Sequence, residues 1–311
     1  MSYEYALIVK NKTRMEQLIE RFNTKAQARF YLERNGGDFD EYELEHLNFQ
    51  HALSEVQGQL AGVLKYKLLD RSFLPGYLFA KQHLIITVGQ DGLVANTAKY
   101  AGSCPILAIN PDEDRYDGVL LPYTVSNFLG GVRRILRNDF PVEEVSLAEA
   151  RLQDGQRLLA FNELFIGAAS HVSARYEIAM GQQQEVHSSS GLLVSTRAGS
   201  TAWLSSVFNM VQRVPAIFGA ATGFQPPQVA ANELIFAVRE PFASKQTQIN
   251  MVAGKLCEQQ HLRLSSLMPS QGVIFSDGIE QDFLHFNSGA TATLGLAPER
   301  VQLVQTLKTD N

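Results

Sequence analysis

The sequence predicts an α/β domain with a parallel sheet, followed by an all-β, sandwich-like domain. Three observations predict it. Over residues 1–125, short β-branched runs alternate with amphipathic helical stretches, which implies a parallel sheet with helices on both sides. From Val142 to Phe286 the texture changes to short β-rich runs broken by Gly, Pro, Ser and Gln: RLLAFNELFIG, YEIAMG, SGLLVS, ELIFAVREP and GVIFSDG. Strands at that spacing with frequent turns suit a sandwich. The segment Ala297 to Leu307, apolar at Val301, Leu303 and Val304, suits a return to the first domain. On this reading residues 1–125, joined by 290–311, form an α/β domain, and 126–289 form a β-sandwich domain.

Tyr5 to Val9 reads as the first strand. Met15, Leu18, Ile19 and Phe22 then fall at i, i+3, i+4 and i+7, the apolar stripe of a helix. A second helix, Lys25 to Glu33, stops at Asn35-Gly36-Gly37. Residues 38–60 are polar and helical, with Leu53, Val56 and Leu60 on one face; His46 and His51 lie off the spacing of a helical metal pair and read as solvated. Val63 to Leu69 is a strand candidate, and Phe73-Leu74-Pro75-Gly76 a loop. Leu84 to Val88 and Pro105 to Asn110 have the composition of buried parallel strands. Val125 to Arg137 makes one more amphipathic helix.

A net charge of −5, without any long run of Lys or Arg, argues against nucleic acid as the partner. No apolar run approaches the ~20 residues that cross a bilayer. MSYEYALIVKN reads as a first strand rather than a leader, so the chain is expected in the cytoplasm. Cys104 and Cys257, with no CxxC partner, read as buried free thiols in a reducing compartment. His171, His187 and His285 show no ligand spacing and read as structural.

The stretch LIITVGQDGLVANTAKY, Leu84 to Tyr100, organises the first domain. A buried strand stops at Gly89-Gln90-Asp91-Gly92 before Leu93 to Tyr100, which is helical in pattern. Free N–H groups there, with the helix dipole, suit a phosphate. Asp91 would repel such a ligand unless it does chemistry or meets a metal, and taken alone the pair reads more readily as an ordinary Asp-Gly turn.

Four stretches carry the functional reading: VGQDG (Val88 to Gly92), AINPDEDRYDGVLLP (Ala108 to Pro122), FNELFIG (Phe161 to Gly167) and SSGLLVSTRAGSTAW (Ser189 to Trp203). Over roughly residues 84–304 their order resembles the NAD kinase family, whose motifs read GGDG, an Asn-Glu pair, and DGLxVSTPTGSTAY. INPDEDRYDG, NELFIG followed by SARYEI, SSG in place of DG, REPF at Arg239 to Phe242, and FSDG near the end are closest to its mitochondrial-type branch.

The resemblance implies ATP-dependent phosphorylation of the adenosine ribose 2′-hydroxyl of NAD. It implies Asp91 as general base, with Gly89, Gly92 and Asn110 at the ATP phosphates. Asn162, Glu163, Ser190, Thr201, Ala202, Trp203 and Ser206 fall on the NAD side, with Arg197 and Asp277 as further candidates. Ser195, Thr196 and Ser200 are read as polar contacts or as turn hydroxyls. Mg²⁺ is expected on the nucleotide phosphates without direct protein ligands, and a homodimer through the sandwich domain is implied. Phosphoryl transfer asks a protein for positioned donors, charge neutralisation and a proton acceptor, which these residue types supply.

Three departures stand out. Gln90 replaces the second glycine of GGDG; a left-handed conformation there would cost about 1–2 kcal/mol, and close approach would crowd a phosphate. Leu93 replaces a threonine, and Arg197-Ala198 replace Pro-Thr. Two other readings stay open: a kinase of the same superfamily acting on a lipid or sugar hydroxyl, and a catalytically weakened nucleotide sensor.

Overall fold

In the computed structural model, which describes residues 3–220 and 223–307, the chain divides into two units. The first runs to Glu144 and resumes at Val301; the second spans Val145–Arg300. The elements in chain order are β1 (Tyr5–Lys10), α1 (Arg14–Phe22), α2 (Lys25–Arg34), α3 (Phe39–Ala61), β2 (Tyr66–Asp70), β3 (His83–Val88), α4 (Asp91–Ala98), β4 (Pro105–Asn110), β5 (Tyr123–Thr124) and α5 (Phe128–Leu136). They continue with β6 (Val142–Leu152), β7 (Arg157–Ala160), β8 (Glu163–Ala168), β9 (Ala174–Met180), β10 (Gln183–Ser189), β11 (Leu192–Ser195) and α6 (Trp203–Ile217). The last are β12 (Glu233–Val238), β13 (Ala253–Cys257), β14 (Leu262–Ser266), β15 (Gly272–Ser276), β16 (Ile279–His285) and β17 (Thr291–Val304).

The first unit is a parallel sheet in the order β2-β1-β3-β4. The last residues of β17 join it through Gln302↔Pro105 and Leu303↔Ile106, and β5 pairs farther along β4. Ala6, Ile8, Leu84, Ile86, Leu107 and Ile109 form one core with Leu53, Val56 and Leu60 of α3 and Phe128, Val132 and Ile135 of α5. Leu7, Val9 and Ile85, of opposite parity, are also fully buried, so both faces are covered, as parallel strands of this composition require. Local signals set the helices: Thr13 and Glu16 form a capping box on α1, and the Asp38 side chain caps α3.

The second unit is a sandwich. One sheet runs β10-β9-β14-β17, with β6 on β17 and β7 on β6; the other runs β13-β12-β11-β8-β15-β16. Residues of alternating parity from both sheets, among them Leu164, Ile166, Val194, Phe236, Ile274, Tyr176, Leu264 and Leu294, make one core.

Several expectations are corrected. The unit boundary falls at Glu144/Val145 rather than after residue 125, because α5 buries Phe128, Val132 and Ile135 against the parallel sheet. Likewise the chain re-enters the first unit at Val301, not at residue 290. The helix α6 lies where only strands and loops were expected. Its Leu204 and Phe208, one turn apart, pack on Ile235 and Ala237, the outward-facing residues of β12. Cys104 is buried as expected, but Cys257, on edge strand β13, is exposed. His46 is not simply solvated: its Nδ1 lies 2.9 Å from Thr13 Oγ1.

Candidate active site

The strand order of the first unit reverses direction between β1 and β3: β1 connects to β2 on one side, and β3 to β4 on the other. Ligands in open α/β sheets bind outside the carboxyl ends of the strands at such a switch point. A cavity of about 310 Å³ lies there. It is lined by Asn11, Lys12, Thr13 and Arg14 after β1, Arg71 after β2, Gly89, Gln90, Gly92 and Leu93 after β3, and Pro111, Asp112 and Tyr116 after β4. Lys12, Arg14 and Arg71 give it three cations, none of which the sequence reading singled out; only their position after strand ends could have marked them.

Two of these cations are partly neutralised. Lys12 Nζ is 2.5 Å from Glu20 Oε1, and Arg14 bonds Glu41 at 3.1 Å and also the buried Glu45. Arg71 has no ion-pair partner among the described residues.

Asp91 is the first residue of α4, and Gln90 is its N-cap without a side-chain cap bond. The carboxylate turns toward the chain after β4: Oδ1 accepts the Leu120 N–H at 2.9 Å and Oδ2 the Val119 N–H at 3.2 Å. Each oxygen takes one donor and keeps acceptor capacity, since an ionised carboxylate offers about four lone-pair sites. Gly92 therefore sits inside the first helical turn rather than in a loop, and Gly89 closes the strand, its N–H on Ile109 O at 3.3 Å. Gln90 has φ −93° and is exposed, so the substitution of glycine carries no left-handed strain. Leu93 is buried at the cavity wall. Asn110 is buried and committed locally, its Nδ2 donating to Tyr116 O at 2.9 Å and its Oδ1 accepting the Asp112 N–H at 3.0 Å. It shapes the acidic loop.

In the second unit the Asn-Glu pair lies at the start of β8, on the outward face of its sheet. Two turns are stitched together there. Asn162 O accepts the Thr196 N–H at 2.9 Å and the Ser195 hydroxyl at 3.3 Å, and Thr196 Oγ1 donates to Phe161 O at 2.5 Å. Thr196 Oγ1 also accepts the Gly199 N–H at 3.1 Å. Ser195, Thr196 and Ser200 are thus satisfied turn hydroxyls, Ser200 donating to Arg197 O at 2.7 Å. Gly199 is required: a Cβ there would stand 2.1 Å from Asn162 O.

Asp277 joins the same assembly. Its Oδ1 accepts the N–H groups of Asn162 at 2.6 Å and Glu163 at 3.2 Å, and its Oδ2 that of Phe161 at 2.9 Å. Glu163 is only 7% exposed, and its Oε2 has no hydrogen-bond partner. Burial first, and the Asp277 charge second, push its carboxyl up to about 7. Trp203 stacks on Phe165 at 5.4 Å between ring centres, with the Arg239 guanidinium 4.9 Å from its own. Thr201, Ser206, Ser190 and Arg197 are exposed, and Ala202 is half-buried beside them in chain order. Ser190 is tied by its N–H to Arg239 O at 2.9 Å. An apolar hollow of about 500 Å³ adjoins Trp203, walled by Val207, Met210, Val211 and Phe224, with Arg239 among its lining residues.

The NAD kinase of Heliobacterium modesticaldum is 33% identical over 126 residues, 39% of this chain and 44% of that protein. A probable NADH kinase of Oryza sativa subsp. japonica is 27% identical over 220 residues, 63% of this chain and 62% of its own length. Over these stretches the chain is similar to NAD kinases and NADH kinases. Its fold agrees: yeast NADH kinase complexed with NADH superposes with a TM-score of 0.64 at 12% identity, covering 100% of this chain and 86% of that one. The NAD kinase of Archaeoglobus fulgidus in complex with ATP gives a TM-score of 0.55 at 14% identity, covering 97% and 94%. No protein-family profile matches the chain. The chain spans 44–62% of the length of the curated relatives named here. Among the described residues no helix is long and apolar enough to cross a membrane.

Proposed function

We propose that this protein is a member of the NAD kinase family and transfers the γ-phosphoryl group of ATP to the 2′-hydroxyl of the adenosine ribose of NAD, giving NADP. The observation that carries the reading is Asp91: a carboxylate on the first turn of the helix after β3, held by two backbone N–H groups, beside a cation-lined cavity at the strand ends. Asp91 acts as general base on the ribose hydroxyl, and its fixed orientation removes a conformational search from the reaction. Lys12, Arg14 and Arg71 balance phosphate charge, with Gly89 and Gly92 allowing close backbone approach. Asn110 supports the loop behind them. The Asn162–Glu163 pair meets the dinucleotide through the amide of Asn162 and the unpaired Oε2 of Glu163, which suits a ribose hydroxyl or the adenine amine. Ser190, Thr201, Ala202, Trp203 and Ser206 complete that side, with Arg197 as a further contact.

Mg²⁺ enters with ATP on its phosphates; among the described residues no three His, Cys, Asp or Glu side chains are grouped to hold an ion, and no step is assigned to a protein-bound metal. The reading extends to a cytoplasmic homodimer of the mitochondrial-type branch. A second acceptor, NADH, is favoured by the names of the rice relative and the yeast neighbour.

Purified protein with Mg²⁺, ATP and either NAD or NADH, read out by an NADP-specific dehydrogenase, tests the proposal. NADP formed from NAD supports it. Binding of NAD without NADP would leave a sensor, and no binding at all would point to another hydroxyl acceptor.

A further inference from the structure

We propose that Asp277 is the positioning residue of the dinucleotide side, fixing Asn162 and Glu163 in the orientation in which they meet their ligand by holding three consecutive backbone N–H groups. The inference rests on the reading that this pair binds NAD. Asp277 and Gly278 turn the β15–β16 hairpin with φ of 52° and 69°. A hairpin turn needs that backbone but does not need its carboxylate. Here the carboxylate leaves its own hairpin and bonds the N–H groups of Phe161, Asn162 and Glu163 at the entrance to β8, at 2.9, 2.6 and 3.2 Å. Its own N–H returns a bond to Glu163 O at 3.0 Å. The Asn-Glu turn is therefore clamped from one side by Asp277 and from the other by Ser195 and Thr196.

The clamp explains an otherwise costly atom. Glu163 Oε2 is buried without a donor, and such an acceptor is retained where a ligand supplies the missing hydrogen bond. The Trp203 backbone N–H, at the first residue of α6, acts on the same carboxyl in the opposite sense to burial, favouring its charged form. Ser195 on β11 lies opposite Glu163 in register and Ser276 precedes Asp277 on β15. Both are neutral, and of the charged groups around Glu163 it is Asp277 that acts on it. Arg197, on the neighbouring turn, is exposed. Asp277 thus both places the Glu163 carboxyl and favours its protonated form near neutral pH, in which it donates as well as accepts.

The test compares Asp277→Ala, Asp277→Asn and wild type in the full chain. Alanine loses every clamp bond; asparagine keeps an acceptor oxygen for Asn162 and Glu163 but loses the charge. Expected is a fall of about 10²-fold in kcat/KM for NAD in the alanine variant, carried mainly by KM, with partial recovery by asparagine and KM for ATP unchanged. A ligand-free readout accompanies it. Emission of Trp203, the single tryptophan, followed against pH, should show a step near the Glu163 value of about 7. That step should move to lower pH in Asp277→Asn and vanish in Glu163→Gln. Wild-type KM for NAD in Asp277→Ala together with an unchanged emission profile in Asp277→Asn would overturn the proposal. If alanine prevents folding, the asparagine variant decides. If wild type neither binds nor phosphorylates NAD, the proposed function falls, and the emission profile still decides whether Asp277 governs the Glu163 carboxyl.

Discussion

Asp91-Gly92 opens a helix, whereas Asp277-Gly278 turns a hairpin, although the two dipeptides are the same in sequence. At the first, Asp91 has ordinary helical neighbours, stands half-exposed, and holds the chain after β4 through two N–H groups. At the second, Asp277 adopts a left-handed conformation and gathers three N–H groups from a distant strand entry. The first unit thus holds a carboxylate with spare acceptor capacity between Gln90 and Gly92, two residues that line a charged cavity. The second uses a carboxylate to build a backbone platform under a different acid, Glu163. The lesson is that an Asp-Gly pair takes its role from the donors around it, and only the fold brings those donors near.

The comparison breaks most sharply at Asp91, the proposed base. Asp91→Asn should lower kcat by about 10²–10⁴-fold, the usual worth of a general base, with NAD affinity retained; steady-state kinetics and a binding titration check it. An equal loss of affinity would make Asp91 a binding residue instead.

On the other side, Glu163 makes stability depend on pH. Its folded value, about 7, lies above the ordinary 4.5, so the folded state binds the proton more tightly. Its contribution is fully present below about pH 4.5 and is lost as pH rises toward about 7. Glu163→Gln removes that slope and should make the protein more stable than wild type at pH 8, by on the order of 3 kcal/mol. Denaturant titrations at pH 5 and 8 measure it, and parallel curves for the two proteins would refute the assignment.

A smaller effect comes from Gly199→Ala, whose methyl would meet the Asn162 carbonyl. Overpacking against backbone should cost about 1–3 kcal/mol of stability, seen as a lowered Tm, together with weaker NAD binding and unaltered ATP binding. Gln90→Gly, which places the glycine of the GGDG motif at an exposed N-cap, should change stability by only a few tenths of a kcal/mol. A large gain there would mean that Gln90 is strained after all.

Much of the first unit was legible in the chain because its signals are local. The β-branched runs at Leu84 and Pro105 bury fully, the run at Tyr5 buries all but its ends, and the i, i+3, i+4, i+7 stripe at Met15 to Phe22 folds as the helix it describes. The glycine-broken stretch around Asp91 stood out for the same reason. By contrast, α6 was missed because the small, hydroxyl-rich residues before Trp203 read as loop, and its buried stripe is only Leu204 and Phe208. The reach of Val125 to Arg137 back onto the parallel sheet, the Lys12–Arg14–Arg71 cations and the Asp277 clamp all depend on contacts between residues far apart in sequence. No local pattern encodes them. Gln90 illustrates the converse: its residue type suggested strain, and its backbone shows none.

The strand β17 has a consequence for biosynthesis. Val145–Arg300 is contiguous, so the sandwich has every strand of its core once that stretch has left the ribosome. The parallel sheet, begun more than a hundred residues earlier, waits for Val301–Val304 before Pro105 and Ile106 gain their outer neighbour. Until then β4 carries an open edge, which is where premature pairing with another nascent chain would start, and a chain cut before Val301 would keep that edge permanently.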